Sequence, residues 1–152
     1  VWTVRKLVIL VGVLWLGVAV YATWLAVQRE LPYDLAFLSR HGDTSRVLED
    51  WLHGWGTALS PPLVGLAIFA VTLVVCTFDG PSGRIAMFVL ALLGAASLVF
   101  TFSQQATHDR ITDVQSHHKL VPWVIVSTVG MSALVVLCGF LGWLTAPRRR
   151  YE

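Results

Sequence analysis

The side chains with chemistry to offer are the five histidines and their acidic neighbours: His41 with Asp43, His53, His108 with Asp109, and the adjacent pair His117 and His118. All fall in two polar stretches, residues 28–60 and 105–119. Imidazole and carboxylate together suit copper or zinc, so two stretches folded against one another could hold such an ion through His108, His117, His118, His41 and Asp43. The spacing lacks the four-residue separation that puts two ligands on one helix face, and solvated surface histidines are the plainer reading. His117 and His118 also stand beside Lys119, whose charge disfavours their protonation. No GxSxG, HExxH, CxxC or P-loop pattern occurs in the chain. No catalytic residue and no resident cofactor are therefore assigned, and the chain reads as a non-enzyme.

The elements that must position those stretches are apolar runs. The chain is 56% hydrophobic and 13% charged, against roughly a quarter charged in soluble domains. Its Lys, Arg, Asp and Glu residues avoid four long segments, 7–27, 61–78, 85–104 and 120–146, none of which holds a histidine either. A helical run of about 20 apolar residues crosses a hydrocarbon core of roughly 30 Å, and every backbone group in that core must be satisfied within the chain. The expected fold is therefore an all-α, four-helix transmembrane bundle forming a single membrane domain. The first run exceeds the roughly 7–15-residue apolar core of a signal peptide and reads as an uncleaved anchor. Pro61 and Pro62 after Ser60 predict a capped helix start. The string Asp79-Gly80-Pro81-Ser82-Gly83 predicts a tight turn between two antiparallel spans.

Charge sets the expected orientation. Arg5, Lys6, Arg84 and Arg148 to Arg150 lie on one side of the four runs, in short segments. Arg29, Arg40, Arg46, Arg110 and Lys119 are spread over the longer segments of the other side, diluted by seven acids. The positive-inside bias then places both termini in the cytoplasm, with 28–60 and 105–119 as outer loops, most simply at the plasma membrane. In the first outer loop, Asp43 or Thr44 can cap a helix running through Trp55, with Gly54 and Gly56 as breakers at its end. Val47, Leu48, Trp51, Leu52 and Trp55 would form its apolar face. Trp51, Leu52 and Trp55 are assigned to the membrane surface. Trp15, near mid-membrane, is expected to pack on another helix. Cys76 and Cys138 both sit in apolar runs and read as small buried residues.

Charge-free spans argue against a pump, an ion-coupled carrier or a bis-histidine haem protein, each of which needs ionisable or ligating groups at membrane depth. The net charge of +2 is scattered along membrane edges and gives no nucleic-acid footprint. Small residues are what the spans do carry: Ala91, Gly94 and Ala95 in the third, and Ser127, Gly130, Ala133, Gly139 and Gly142 in the fourth. Such residues let helices approach closely, either within the bundle or against another integral-membrane subunit. The expected function is thus a non-catalytic accessory subunit or assembly factor of a larger membrane complex, with an extracytoplasmic protein partner at its outer loops. The alternatives are a metal-handling protein using the loop histidines and a lipid- or quinone-binding membrane module.

Overall fold

The computed structural model describes residues 3–30, 34–35, 40–57, 59–103 and 120–146. The elements in order are α1 (Val4–Gln28), an antiparallel pair β1 (Asp34–Leu35) and β2 (Arg40–His41), a 3-10 turn (Thr44–Arg46), α2 (Val47–Leu52), α3 (Leu63–Val75), α4 (Pro81–Ser103) and α5 (Leu120–Thr145). In the short pair, Asp34 stands opposite His41 and Leu35 opposite Arg40. Three helices are long and apolar enough to cross a membrane, over Val4–Gln28, Pro81–Ser103 and Trp123–Thr145. At 23 residues or more and about 1.5 Å per residue, each exceeds the roughly 30 Å of a hydrocarbon core. The fourth apolar helix, α3, has 13 residues and is about 20 Å long.

Local chemistry explains the ends. Thr3 caps α1 by accepting from the Lys6 amide. The expected turn at 79–83 is shorter than the sequence suggests, because Pro81 already opens α4, a position where no backbone donor is needed. Gly80 takes the left-handed φ of +96° that ends the turn. Gly83 serves close approach instead, since a Cβ there would lie 2.1 Å from the Phe78 carbonyl oxygen. Ser60 does not cap α3: Pro62 occupies the cap position with extended backbone, while the Ser60 hydroxyl bonds Thr23 and Thr57. A proline also disfavours helical backbone in the residue before it, so the helix starts after the Pro61-Pro62 pair.

The four apolar helices form a ring. α4 packs most extensively on α5, α5 on α1, α4 on α3, and α3 closes the ring weakly on α1. The pairing of α4 with α5 is antiparallel: Met87 and Ala91 meet Gly139, and Gly94 meets Ser132 and Val135. The core runs through Val8, Val11, Trp15, Phe69, Leu73, Met87, Leu90 and Val135. A second cluster of Ala22, Leu25, Ala26, Leu59, Val124 and Ile125 sits at the opposite end. Outward faces are equally apolar: Val71, Val99, Phe102, Trp123 and Val126 are each more than 60% exposed. A soluble protein does not present such a surface on every side; lipid would cover it at no cost.

Close helix contact makes the glycines unequal. At Gly139 a Cβ would sit 2.8 Å from the Met87 carbonyl oxygen and 3.0 Å from the Ala91 nitrogen, both backbone atoms. At Gly130 it would meet nothing within 4 Å. Gly139→Ala is expected to destabilise the bundle by about 1–3 kcal/mol through overpacking. Gly130→Ala should be neutral or stabilising by up to about 1 kcal/mol through helix propensity. Unfolding of both variants in detergent micelles checks the pair, and equal losses would contradict this packing.

Candidate functional site

Two hydrogen-bonded nodes hold the polar side chains at depth. In the first, the Trp15 indole is 2% exposed and stacks on Phe69 of α3, ring centroids 4.0 Å apart and planes 21° from parallel. Its N–H donates to Ser132 Oγ of α5 at 2.8 Å, and the Ser132 hydroxyl donates to Ser97 Oγ of α4 at 3.3 Å. Trp15 thus joins α1 directly to α3 and α5, and through Ser132 to α4. An indole is a donor only, so Ser132 accepts from Trp15, and its own hydroxyl is oriented to donate to Ser97. The threonines of the helices take a different route, each donating to the carbonyl four residues back, as Thr72, Thr101 and Thr128 do. This local bond satisfies a hydroxyl without a partner helix.

The second node ties the segment before α3 to α1. Thr23 Oγ1 lies 2.9 Å from Ser60 Oγ, which is 2.7 Å from Thr57 Oγ1. Thr57 Oγ1 also accepts from the amides of Leu59 and Ser60. Beside it, the Trp51 indole donates to the Pro61 carbonyl at 3.0 Å. Asp43 caps the 3-10 turn by accepting from the Ser45 amide, which holds its carboxyl below the ordinary carboxylate range. The following helix ends at Leu52, before Trp55, because Gly54 adopts φ +96°. Val47 is buried and Trp51 half-buried, whereas Leu48 and Leu52 are exposed.

At the other end, the Arg5 guanidinium pairs with the exposed Asp79 carboxylate. Arg84 Nε donates to the Trp143 carbonyl at 3.0 Å, and its guanidinium carbon lies 5.7 Å from the Trp143 ring centroid. These contacts join α1 to the turn before α4, and the first turn of α4 to the end of α5. A surface ion pair such as Arg5–Asp79 contributes little stability, about 0–1 kcal/mol.

Of the candidate metal ligands, only Asp43 has its side chain among the described residues. His108, His117 and His118 lie outside the described residues. His41 is placed only as backbone in β2, and Asp43 is engaged in its cap. His53 is exposed, its Nδ1 lying 2.6 Å from the Glu49 carbonyl. No group of three histidine, cysteine or acidic side chains forms among the described residues. Cys76 and Cys138 are free and buried.

The small residues divide. Ala91, Gly94, Gly139 and Gly142 are buried between helices, where a Cβ on Gly142 would lie 2.5 Å from Met87 Sδ. Ala95 and Ala133 are half-buried. Ser127 and Gly130 are exposed. Ser127 lines a cavity of about 340 Å³ between α1 and α5, with Gly17, Val18, Tyr21, Trp123 and Val124. Gly17 was not singled out in the sequence; like Gly130, it has nothing within 4 Å of an added Cβ. The Ser97 and Ser132 hydroxyls were legible only as small residues, although two hydroxyls and an indole in charge-free spans are the signal that could have linked them.

The inter-helix chain makes a measurable claim on stability. Trp15→Phe and Ser132→Ala are each expected to weaken the bundle, with a coupling in the double-mutant cycle of about 0.6 kcal/mol, the average for such bonds in membranes, and at most about 1.7 kcal/mol. Strict additivity would show that the indole-to-hydroxyl bond contributes nothing. No protein-family model, curated protein or solved structure matches the chain.

Proposed function

We propose that this protein is a four-span membrane bundle that serves as a non-catalytic accessory subunit or assembly factor of a larger membrane complex. In this reading α3, prolonged by the apolar residues on either side of it, is the second span. Both termini lie on the cytoplasmic side of the plasma membrane, and the two polar stretches face outward, where they contact an extracytoplasmic protein. Leu48 and Leu52, exposed on α2, and Trp55 beyond it rest at the outer headgroup boundary.

The observation that carries the proposal is the uneven use of the small residues. Gly94, Gly139 and Gly142 are filled by neighbouring helices, whereas Gly17, Ser127 and Gly130 line open surface on α1 and α5. Lipid chains and leucine side chains are equally apolar, so helices associate in a bilayer through close packing. An open face of small residues offers that packing to a partner's transmembrane helix. Arg5, Arg84 and the basic tail at 148–150 support cytoplasmic termini by the positive-inside bias.

Purification in mild detergent tests the reading. Stoichiometric membrane partners are expected with the wild-type chain, and they should be lost with Gly17→Leu or Gly130→Leu, which fill the open face without touching the core. Val71→Leu on the α3 outer surface should leave them bound. A monodisperse, partner-free protein, or partners retained by both glycine variants, would count against it.

A further inference from the structure

The donor chain that begins at Trp15 does not end inside the protein. Ser132 gives its proton to Ser97, so the Ser97 oxygen is an acceptor there and its own proton needs another partner. Among the described residues it has none. Ser97 is 5% exposed, too buried for bulk solvent to serve. What it does border is a half-open crevice of about 200 Å³ between α3 and α4, whose walls include Phe69, Phe100 and the rings of Pro61 and Pro62. The crevice is otherwise almost wholly apolar. One donor bordering an apolar pocket is the arrangement that fixes the orientation of a small ligand.

We infer that the crevice between α3 and α4 is a binding site for a flat apolar ring bearing a carbonyl, of the benzoquinone class, with the Ser97 hydroxyl donating to that carbonyl. Three features select this occupant. The walls include the aromatic side chains of Phe69 and Phe100, Phe69 held in place by its stack on Trp15, and aromatic walls suit a planar partner. The one polar handle is a donor, so the ligand must supply an acceptor. The site holds no charge, which disfavours an anionic or cationic headgroup. Ser97 is a ligand-binding residue here, and Trp15 and Ser132 are positioning residues, since their bonds commit the Ser97 oxygen as acceptor and leave its proton for the ligand. This site is separate from the α1–α5 face and does not depend on the accessory-subunit reading.

The test uses the full chain in nanodiscs of dioleoyl phosphatidylcholine, titrated with a benzoquinone carrying one isoprene unit and followed by quenching of tryptophan fluorescence. Saturable quenching is expected for the wild type. Ser97→Ala should bind about tenfold more weakly, the loss of one hydrogen bond. Ala96→Phe, which fills the crevice and leaves the Trp15–Ser132–Ser97 chain intact, should abolish saturation with no change in the thermal midpoint. Quenching that rises linearly without saturation, or equal affinity in wild type and both variants, would overturn the inference. So would native mass spectrometry showing a phospholipid retained by the wild type and lost in Ala96→Phe, because the crevice would then belong to an acyl chain.

Discussion

A donor buried in an apolar interior must find its acceptor on the protein, and the Trp15 indole is where this chain meets that demand. Its N–H reaches Ser132 on α5, Ser132 reaches Ser97 on α4, and the ring face stacks on Phe69 of α3. An unmade bond at this depth costs more than a made bond contributes. The four apolar helices are therefore held to one mutual arrangement by a single side chain and its partners. Hydrophobic burial does not select that arrangement in lipid, since the outward faces are as apolar as the core.

Close packing supplies what burial does not. α4 and α5 approach until Gly139 touches the backbone of Met87 and Ala91, and Gly142 accepts the Met87 side chain together with Val8. The contact brings Ser132 and Ser97 within reach of one another, so glycine placement and the hydroxyl chain are two parts of one constraint. The Thr23–Ser60–Thr57 node does the same for the segment entering α3. There Pro62 holds extended backbone at the start of α3 without a side-chain cap, and the Thr57 hydroxyl takes up the amides of Leu59 and Ser60 in the segment before it.

The functional readings follow from what this packing leaves over. The described side chains that meet at depth, Trp15, Ser97 and Ser132, are neutral, in keeping with the proposal of a chain that holds a partner or ligand. Among the described residues, small residues stand uncovered on α1 and α5, and the Ser97 hydroxyl borders an apolar crevice between α3 and α4. The two features lie on different helix pairs.

The long apolar helices could be read from the sequence because their cause is local: runs without charge, interrupted by proline, glycine and basic flanks, depend on neighbours along the chain. The cap at Asp43, the buried place of Trp15 and the apolar setting of both cysteines follow from the same local rules. The release of Ser60 from capping did not, because its hydroxyl is taken up by Thr23 of α1, distant in sequence, and by Thr57. The small residues show the division most plainly. Composition determined that α4 and α5 could pack closely, yet Gly139 and Gly130 look alike in the chain, and only the tertiary structure decided which was filled. A glycine's role is set by the atom facing its missing side chain, and that atom belongs to another helix.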